Sequence, residues 1–212
     1  MIELKVALYS GRGGELAPDV SEVLNELSIR HDFINEREIR SGILRDYGTL
    51  IVPGGYTRRI IPALGDVGKR QIHESVKNGC GYIGICAGAY VAPELGLTKA
   101  KVIRGSGTFI TTVEIVGMSH PVTDGYKGRL AVFYQNGPRI GPSSEDTPLA
   151  FYRDGSAAII VSRCGGGKVV LFSPHPEKLP DTWGLLENAI NYVKAEAPDP
   201  RLSHLYMRLR ES

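Results

Sequence analysis

Cysteine is scarce in this chain, and its arrangement excludes more than it suggests. The three present, Cys80, Cys86 and Cys164, are an odd set without short metal-ligand spacing. They read as reduced intracellular thiols, not as a disulfide framework. An excess of one charge is lacking as well: 25 Lys and Arg stand against 23 Asp and Glu, which leaves no electrostatic footprint for nucleic acid. No apolar run approaches the ~20 residues of a membrane-spanning helix. The opening Met1-Ile2-Glu3-Leu4-Lys5 has no charged-then-apolar leader, so the expectation is a cytoplasmic protein without membrane contact. Neither an internal repeat nor a low-complexity linker interrupts the sequence. With 42% apolar residues, 212 residues suit a single domain over 1–212 with a substantial core.

What is present centres on Gly84-Ile85-Cys86-Ala87-Gly88, directly after the apolar Gly81-Tyr82-Ile83. A cysteine with glycine two residues to either side, between a strand and a helix, has the form of a nucleophile elbow, in which a sharp turn lifts the reactive atom above a sheet. The glycines leave room beside the nucleophile, and the turn needs unusual backbone angles. A helix N-terminus aimed at the sulfur favours the thiolate. The same pattern also suits a structural cysteine buried in a tight turn.

Downstream, the apolar Val169-Val170-Leu171-Phe172-Ser173 runs into Pro174-His175-Pro176-Glu177. Residues two apart on an extended segment point the same way, which puts His175 and Glu177 on one side. A thiol nucleophile needs a base within hydrogen-bond reach, and the base needs an orienting partner. Cys86, His175 and Glu177 supply those roles. The prolines rigidify this segment and are expected to forbid a helix there. His and Glu are also metal-ligand types, but no second cluster at ligand spacing accompanies them; no metal and no cofactor are expected. A plain polar strand exit is the other reading.

Together these motifs resemble the class I glutamine amidotransferase superfamily, in which an elbow cysteine pairs with the His and Glu of an H-P-E segment. Leu50-Ile51-Val52-Pro53-Gly54-Gly55, an apolar strand ending in Pro-Gly-Gly, agrees with it. With Gly-Tyr-Ile-Gly-Ile-Cys-Ala-Gly-Ala-Tyr and Tyr134-Gln135-Asn136-Gly137-Pro138, the chain is most similar to the biotin protein ligase N-terminal-like branch, over roughly residues 1–195. The resemblance implies a flavodoxin-like three-layer sandwich and an oxyanion hole made by the Gly55 and Ala87 amides. Gly54, Tyr90, Arg58 and Asn136 are the candidates for substrate binding. Two departures matter. Glutamine-using relatives carry Gln four residues after the cysteine, where this chain has Tyr90; peptidase-like and chaperone-like relatives place His after the cysteine, where it has Ala87.

The expected activity is hydrolysis of glutamine or another small amide through a thioester. Any ammonia then goes to a separate synthetase subunit or is simply released. The alternative is a non-catalytic small-molecule-binding or regulatory module on the same fold, and a homo-oligomer is compatible with either.

Strands are expected at Lys5–Tyr9, 32–35, Leu50–Val52 and Gly81–Ile83, with helices over 18–29 and 66–77, giving a mostly parallel central sheet. Ligands then sit beyond the carboxyl ends of the strands, where Gly11–Gly14, Gly55 and Cys86 converge. From about residue 102 the pattern turns to short strands (108–116, 130–134, 149–153, 157–162) with a Gly165-Gly166-Gly167 hairpin turn, expected as antiparallel additions. A helix over 183–194 closes the fold, and 198–212 forms a tail or short helix. Gly11-Arg12-Gly13-Gly14 lacks the third glycine of a dinucleotide loop. Cys80 and Cys164 read as buried small residues, and His31, His73, His120 and His204 as surface or satisfied core histidines.

Overall fold

In the first strand, β1 (Lys5–Tyr9), Val6 and Leu8 point to one face of a sheet and Ala7 and Tyr9 to the other; all four are buried. A strand apolar on both faces belongs in a sheet covered on both sides. The computed structural model, which describes residues 5–194, has that architecture. After β1 come α1 (Ala17–Glu26), β2 (His31–Ile34), α2 (Glu36–Arg40), β3 (Tyr47–Val52), α3 (Thr57–Lys77), β4 (Gly81–Ile85) and α4 (Ala87–Val91). The second half holds β5 (Lys101–Ile103), β6 (Thr108–Ile115), β7 (Gly128–Gln135), β8 (Arg139–Gly141), β9 (Thr147–Phe151), β10 (Ala157–Cys164), β11 (Gly167–Phe172) and α5 (Trp183–Val193).

The strands form one sheet in the order β2-β1-β3-β4-β11-β10-β9-β6-β7, with β8 beside β10 and β5 beside β8. Pairing is parallel from β2 to β11 and antiparallel from β11 to β7. Helices α1 and α5 cover Val6, Leu8, Ile51, Ile83, Ile85, Val170 and Phe172. On the opposite face α3 and α4 cover Ala7, Tyr9, Leu50, Val52, Tyr82, Val169 and Leu171. The result is the expected three-layer α/β sandwich, parallel in its centre with antiparallel additions. Those additions curl back: Phe133 of β7 bridges His175, just beyond β11, and the His175 amide donates to the Phe133 carbonyl at 2.8 Å. That bridge brings the end of β7 to the carboxyl ends of the parallel strands.

Several expected boundaries move, each for a local reason. The helix expected over 18–29 stops at Glu26, because Ser28 turns into the left-handed region at φ 57° and the Ile29 amide caps back to the Leu24 carbonyl. The helix expected over 66–77 begins earlier, at Thr57, and is broken at Gly65 (φ 58°, ψ −176°). A glycine adopts that conformation at little steric cost, so two helical pieces abut. The short α2 was not expected. Asn35 and Glu38 form a reciprocal capping box that starts it, and such a cap supports a helix that propensity alone would not. The expected segment 198–212 lies outside the described residues, as does His204.

Candidate active site

Cys86 follows the last residue of β4 and takes φ 49°, ψ −98°, a conformation that costs a non-glycine residue about 1–3 kcal/mol. Ile83 and Ile85, both fully buried, offset this, since burying one such side chain contributes about 1.5–3 kcal/mol. The Cys86 amide donates to the Phe172 carbonyl at 2.8 Å, and its carbonyl accepts from Tyr90 N at 3.0 Å. Both neighbouring glycines are required by contact. A Cβ on Gly88 would lie 2.0 Å from the Val52 carbonyl oxygen, and one on Gly84 would lie 2.6 Å from the Gly88 backbone. The Tyr82 hydroxyl donates to the Gly88 carbonyl at 2.8 Å and braces the turn from beneath. With only five residues, α4 is too short to present an extended dipole to the sulfur.

Beyond β11, Ser173 and Pro174 lead to His175 in an extended conformation (φ −104°, ψ 91°), and Pro176–Lys178 form a single 3-10 turn. The expected straight segment therefore bends, and the prolines did not prevent a helical turn: Pro176 occupies its first position, where a missing N–H costs nothing. The bend still joins the two side chains. His175 Nδ1 and Glu177 Oε1 are 2.7 Å apart with both side chains fully buried. The turn is tied down by Trp183 Nε1 donating to the Glu177 carbonyl at 3.1 Å and the Thr182 hydroxyl donating to the Pro176 carbonyl at 2.7 Å. A Lys178–Asp19 ion pair at 3.0 Å fastens it to α1.

The histidine and the cysteine meet at one carbonyl. Cys86 Sγ and His175 Nε2 each lie 3.4 Å from the Gln135 oxygen, delivered by the end of β7. Burial taken alone depresses the His175 imidazolium. The neighbouring Cys86 thiol and the hydrogen-bonded Glu177 carboxylate outweigh it and raise its pKa to about 10. The Glu177 carboxylate keeps a spare acceptor, since its Oε2 is buried and has no hydrogen-bond partner among the described residues.

The other predicted residues fall around this centre. Gly54 packs on the imidazole so closely that a Cβ there would sit 2.7 Å from His175 Cε1. Gly55 adopts φ 150°, and a Cβ on it would be 2.0 Å from the Gly13 carbonyl oxygen. The Gly11–Gly14 loop holds this strand end: Tyr56 N donates to Gly13 O at 2.9 Å and Leu16 N to Gly54 O at 3.2 Å. Among the described residues, neither the Gly55 nor the Ala87 amide donates a hydrogen bond to another protein group. Tyr90, half-buried on α4, accepts from Gly105 N at 2.8 Å and donates to the Asn136 carbonyl at 3.1 Å. Asn136 takes φ 52° and turns its Oδ1 to Gly107 N at 2.9 Å, so its side-chain oxygen braces the 105–107 loop. Arg58 is exposed on the first turn of α3, while Arg59 pairs with Glu15 at 3.1 Å.

Sequence reasoning did not find the Gln135 carbonyl, because a backbone oxygen carries no residue signature; the Tyr-Gln-Asn-Gly-Pro segment was its only pointer. The remaining cysteines differ from expectation in one case. Cys80 is buried and its thiol is pushed up to about 12 by desolvation, whereas Cys164 is only partly buried. The described histidines outside the site are satisfied: His31 bonds Ser21 Oγ at 2.7 Å, His73 bonds the Leu95 carbonyl at 3.0 Å, and His120 accepts from Val122 N at 3.2 Å.

Comparison with known proteins bears on the fold that carries this site. The family model "Biotin-protein ligase, N terminal" matches residues 44–95, which take in β3, α3, the elbow and α4. An uncharacterized protein of Chlamydia muridarum (strain MoPn / Nigg) is 28% identical over 174 residues, 69% of this chain and 67% of its own length. PurLQS from Thermotoga maritima shares the fold at TM-score 0.72 and 18% identity, covering 90% of this chain and 99% of that one. A glutamine amidotransferase from Thermotoga maritima does so at TM-score 0.64 and 18% identity, covering 99% and 89%. No helix among the described residues is long and apolar enough to cross a membrane. The chain has a class I glutamine amidotransferase-like fold, and its residues 44–95 are similar to the biotin-protein ligase N-terminal family.

Proposed function

We propose that this protein is a cysteine-dependent amide hydrolase whose nucleophile is Cys86. One observation carries the reading: a buried, Glu177-oriented His175 shares a carbonyl contact with a strained elbow cysteine. A purely structural cysteine has no use for a buried carboxylate–imidazole pair beside it.

In the proposed reaction the Cys86 thiolate attacks the carbonyl carbon of an amide, forming a C–S bond while the carbonyl π electrons move to oxygen. The Gly55 and Ala87 amides donate to that oxyanion; one such donor is worth about 10²–10³ in rate. When the tetrahedral adduct collapses, the C–N bond breaks, and the His175 Nε2 proton goes to the departing nitrogen, releasing ammonia and leaving an acyl thioester. Water then attacks the thioester, His175 accepts its proton, and the C–S bond breaks to give the carboxylate and free Cys86. Glu177 keeps the proton on Nδ1 throughout and stabilises the imidazolium. Glutamine is one candidate amide and a smaller amide the other, with Tyr90 standing where glutamine-using relatives carry Gln. If glutamine is used, a separate ammonia-accepting synthetase subunit is the proposed partner.

Ammonia release from glutamine and a panel of small amides, measured for the protein and its Cys86→Ala variant, tests this. Cys86-dependent release from any member supports the proposal and names the substrate. Equal release by the Cys86→Ala variant rules the mechanism out.

A further inference from the structure

Cys86 is only 6% exposed, and the segment that rests on its sulfur is tied to the elbow helix by one side chain. Tyr90 lies one turn into α4, its amide donating to the Cys86 carbonyl at 3.0 Å. Its hydroxyl accepts from Gly105 N and donates to the Asn136 carbonyl. These two segments come from distant parts of the chain, the β5–β6 loop and the end of β7, and the Tyr90 hydroxyl ties both to the elbow helix. The second segment carries the Gln135 carbonyl that rests on Sγ. The two segments are also clasped to each other. Asn136 N donates to the Gly107 carbonyl at 2.8 Å, Asn136 Oδ1 accepts from Gly107 N, and a Cβ on Gly105 would lie 1.9 Å from the Tyr134 hydroxyl and 2.2 Å from the Gly137 carbonyl oxygen.

A nucleophilic sulfur must bring the substrate carbonyl carbon to about 3–3.5 Å. A cysteine this enclosed, with a main-chain oxygen already against its sulfur, does not admit an amide without displacing something. The means to move are local. Gly107 and Asn136 hold positive φ (104° and 52°), Gly105 and Gly137 flank them, and the outer face of the loop, Arg104, Ser106 and Gly107, is exposed.

We infer that residues 104–107 and 135–137 form a lid over Cys86, that the Tyr90 hydroxyl is its latch, and that the latch must open for an amide to reach the sulfur. Tyr90 thus acts as an access-controlling residue where glutamine-using relatives carry Gln. The inference rests on Cys86 being the nucleophile, but it is testable without turnover.

The test is the second-order rate of alkylation by iodoacetamide, a small neutral probe, followed by peptide mass at Cys86 from pH 6 to 10. Tyr90→Phe removes both latch bonds while keeping the ring. Cys86 alkylation is expected to rise about tenfold, the value of one to two net hydrogen bonds, by the same factor at every pH. Gly105→Ala, which drives the loop from Tyr134 and Gly137, is expected to accelerate it as well, and serves if Tyr90→Phe fails to fold. Unchanged or slower alkylation in both variants overturns the lid. So does an acceleration arising wholly from a shifted thiol titration, which would make Tyr90 an electrostatic neighbour. Because the readout is access to sulfur, failure of the amide-hydrolase reading shows up in the ammonia assay and leaves this result standing.

Discussion

Replacing Glu177 by Gln removes one charge and almost no volume. Oε1 lies 2.7 Å from His175 Nδ1 in a fully buried pair, while Oε2 has no partner among the described residues. The glutamine amide can therefore turn its oxygen to Nδ1 and keep the productive tautomer, leaving its NH2 group in the orphan position. What is lost is the charge. A hydrogen bond to a charged group is worth about 1.5–3 kcal/mol, and each 1.36 kcal/mol is tenfold in rate; the expected fall in Cys86-dependent ammonia release is roughly 10- to 150-fold. The same loss lowers the imidazolium pKa from about 10, because burial, which depresses it, is then less opposed. Glu177→Ala, which removes the orienting group as well, should lose more. The assay is the initial rate of ammonia release across pH, paired with the alkylation profile of Cys86. Activity of Glu177→Gln within threefold of wild type, with an unshifted pH profile, would refute the role assigned to the carboxylate.

Other outcomes follow from the same geometry. Gly88→Ala pushes a Cβ to 2.0 Å from the Val52 carbonyl, a backbone clash no rotamer relieves; overpacking of this kind costs about 1–3 kcal/mol, and a thermal melt should show Tm lower by about 2–12 °C. Gly54→Ala meets only side-chain ends, His175 Cε1 at 2.7 Å and Leu16 Cδ1 at 2.8 Å, so the fold should survive with a small Tm change. The displaced imidazole should cost about 10²-fold in kcat; a wild-type kcat would contradict the packing argument. The His175 pKa, raised to about 10 in the fold, lies above the ~6.5 of an unperturbed histidine. Its protonation therefore stabilises the native state fully below about pH 6.5 and loses that contribution as pH rises toward 10. Urea unfolding of wild type and His175→Gln should show a stability gap that narrows over that window, and a constant gap would contradict it.

How much was legible beforehand depends on which atoms do the work. The parallel strands could be read because burial on both faces demands unbroken apolar runs such as Leu50–Val52 and Val169–Phe172. The meeting of Cys86, His175 and Glu177 could be anticipated because their proposed roles belong to side chains, and the glycines at 84 and 88 because a Cβ has no room there. The three-residue β5 and β8 are too short for a period to emerge. The first half of α3 was hidden by Pro62 and Gly65, residues that signal a break whether or not helix lies on both sides. The Gln135 carbonyl and the two loops bonded to Tyr90 are backbone placements tied to the Phe133–His175 bridge, a pairing between residues 42 apart in sequence that no local pattern encodes.

The central claim is that Cys86 becomes covalently acylated. Acid-quenched mixtures of the protein with the amide that releases ammonia, digested and measured by mass, test it directly. The account predicts an acyl group on the peptide containing Cys86, removed by hydroxylamine and missing from Cys86→Ala. Steady ammonia release with an unmodified Cys86 peptide, undiminished in the Cys86→Ala variant, would contradict it.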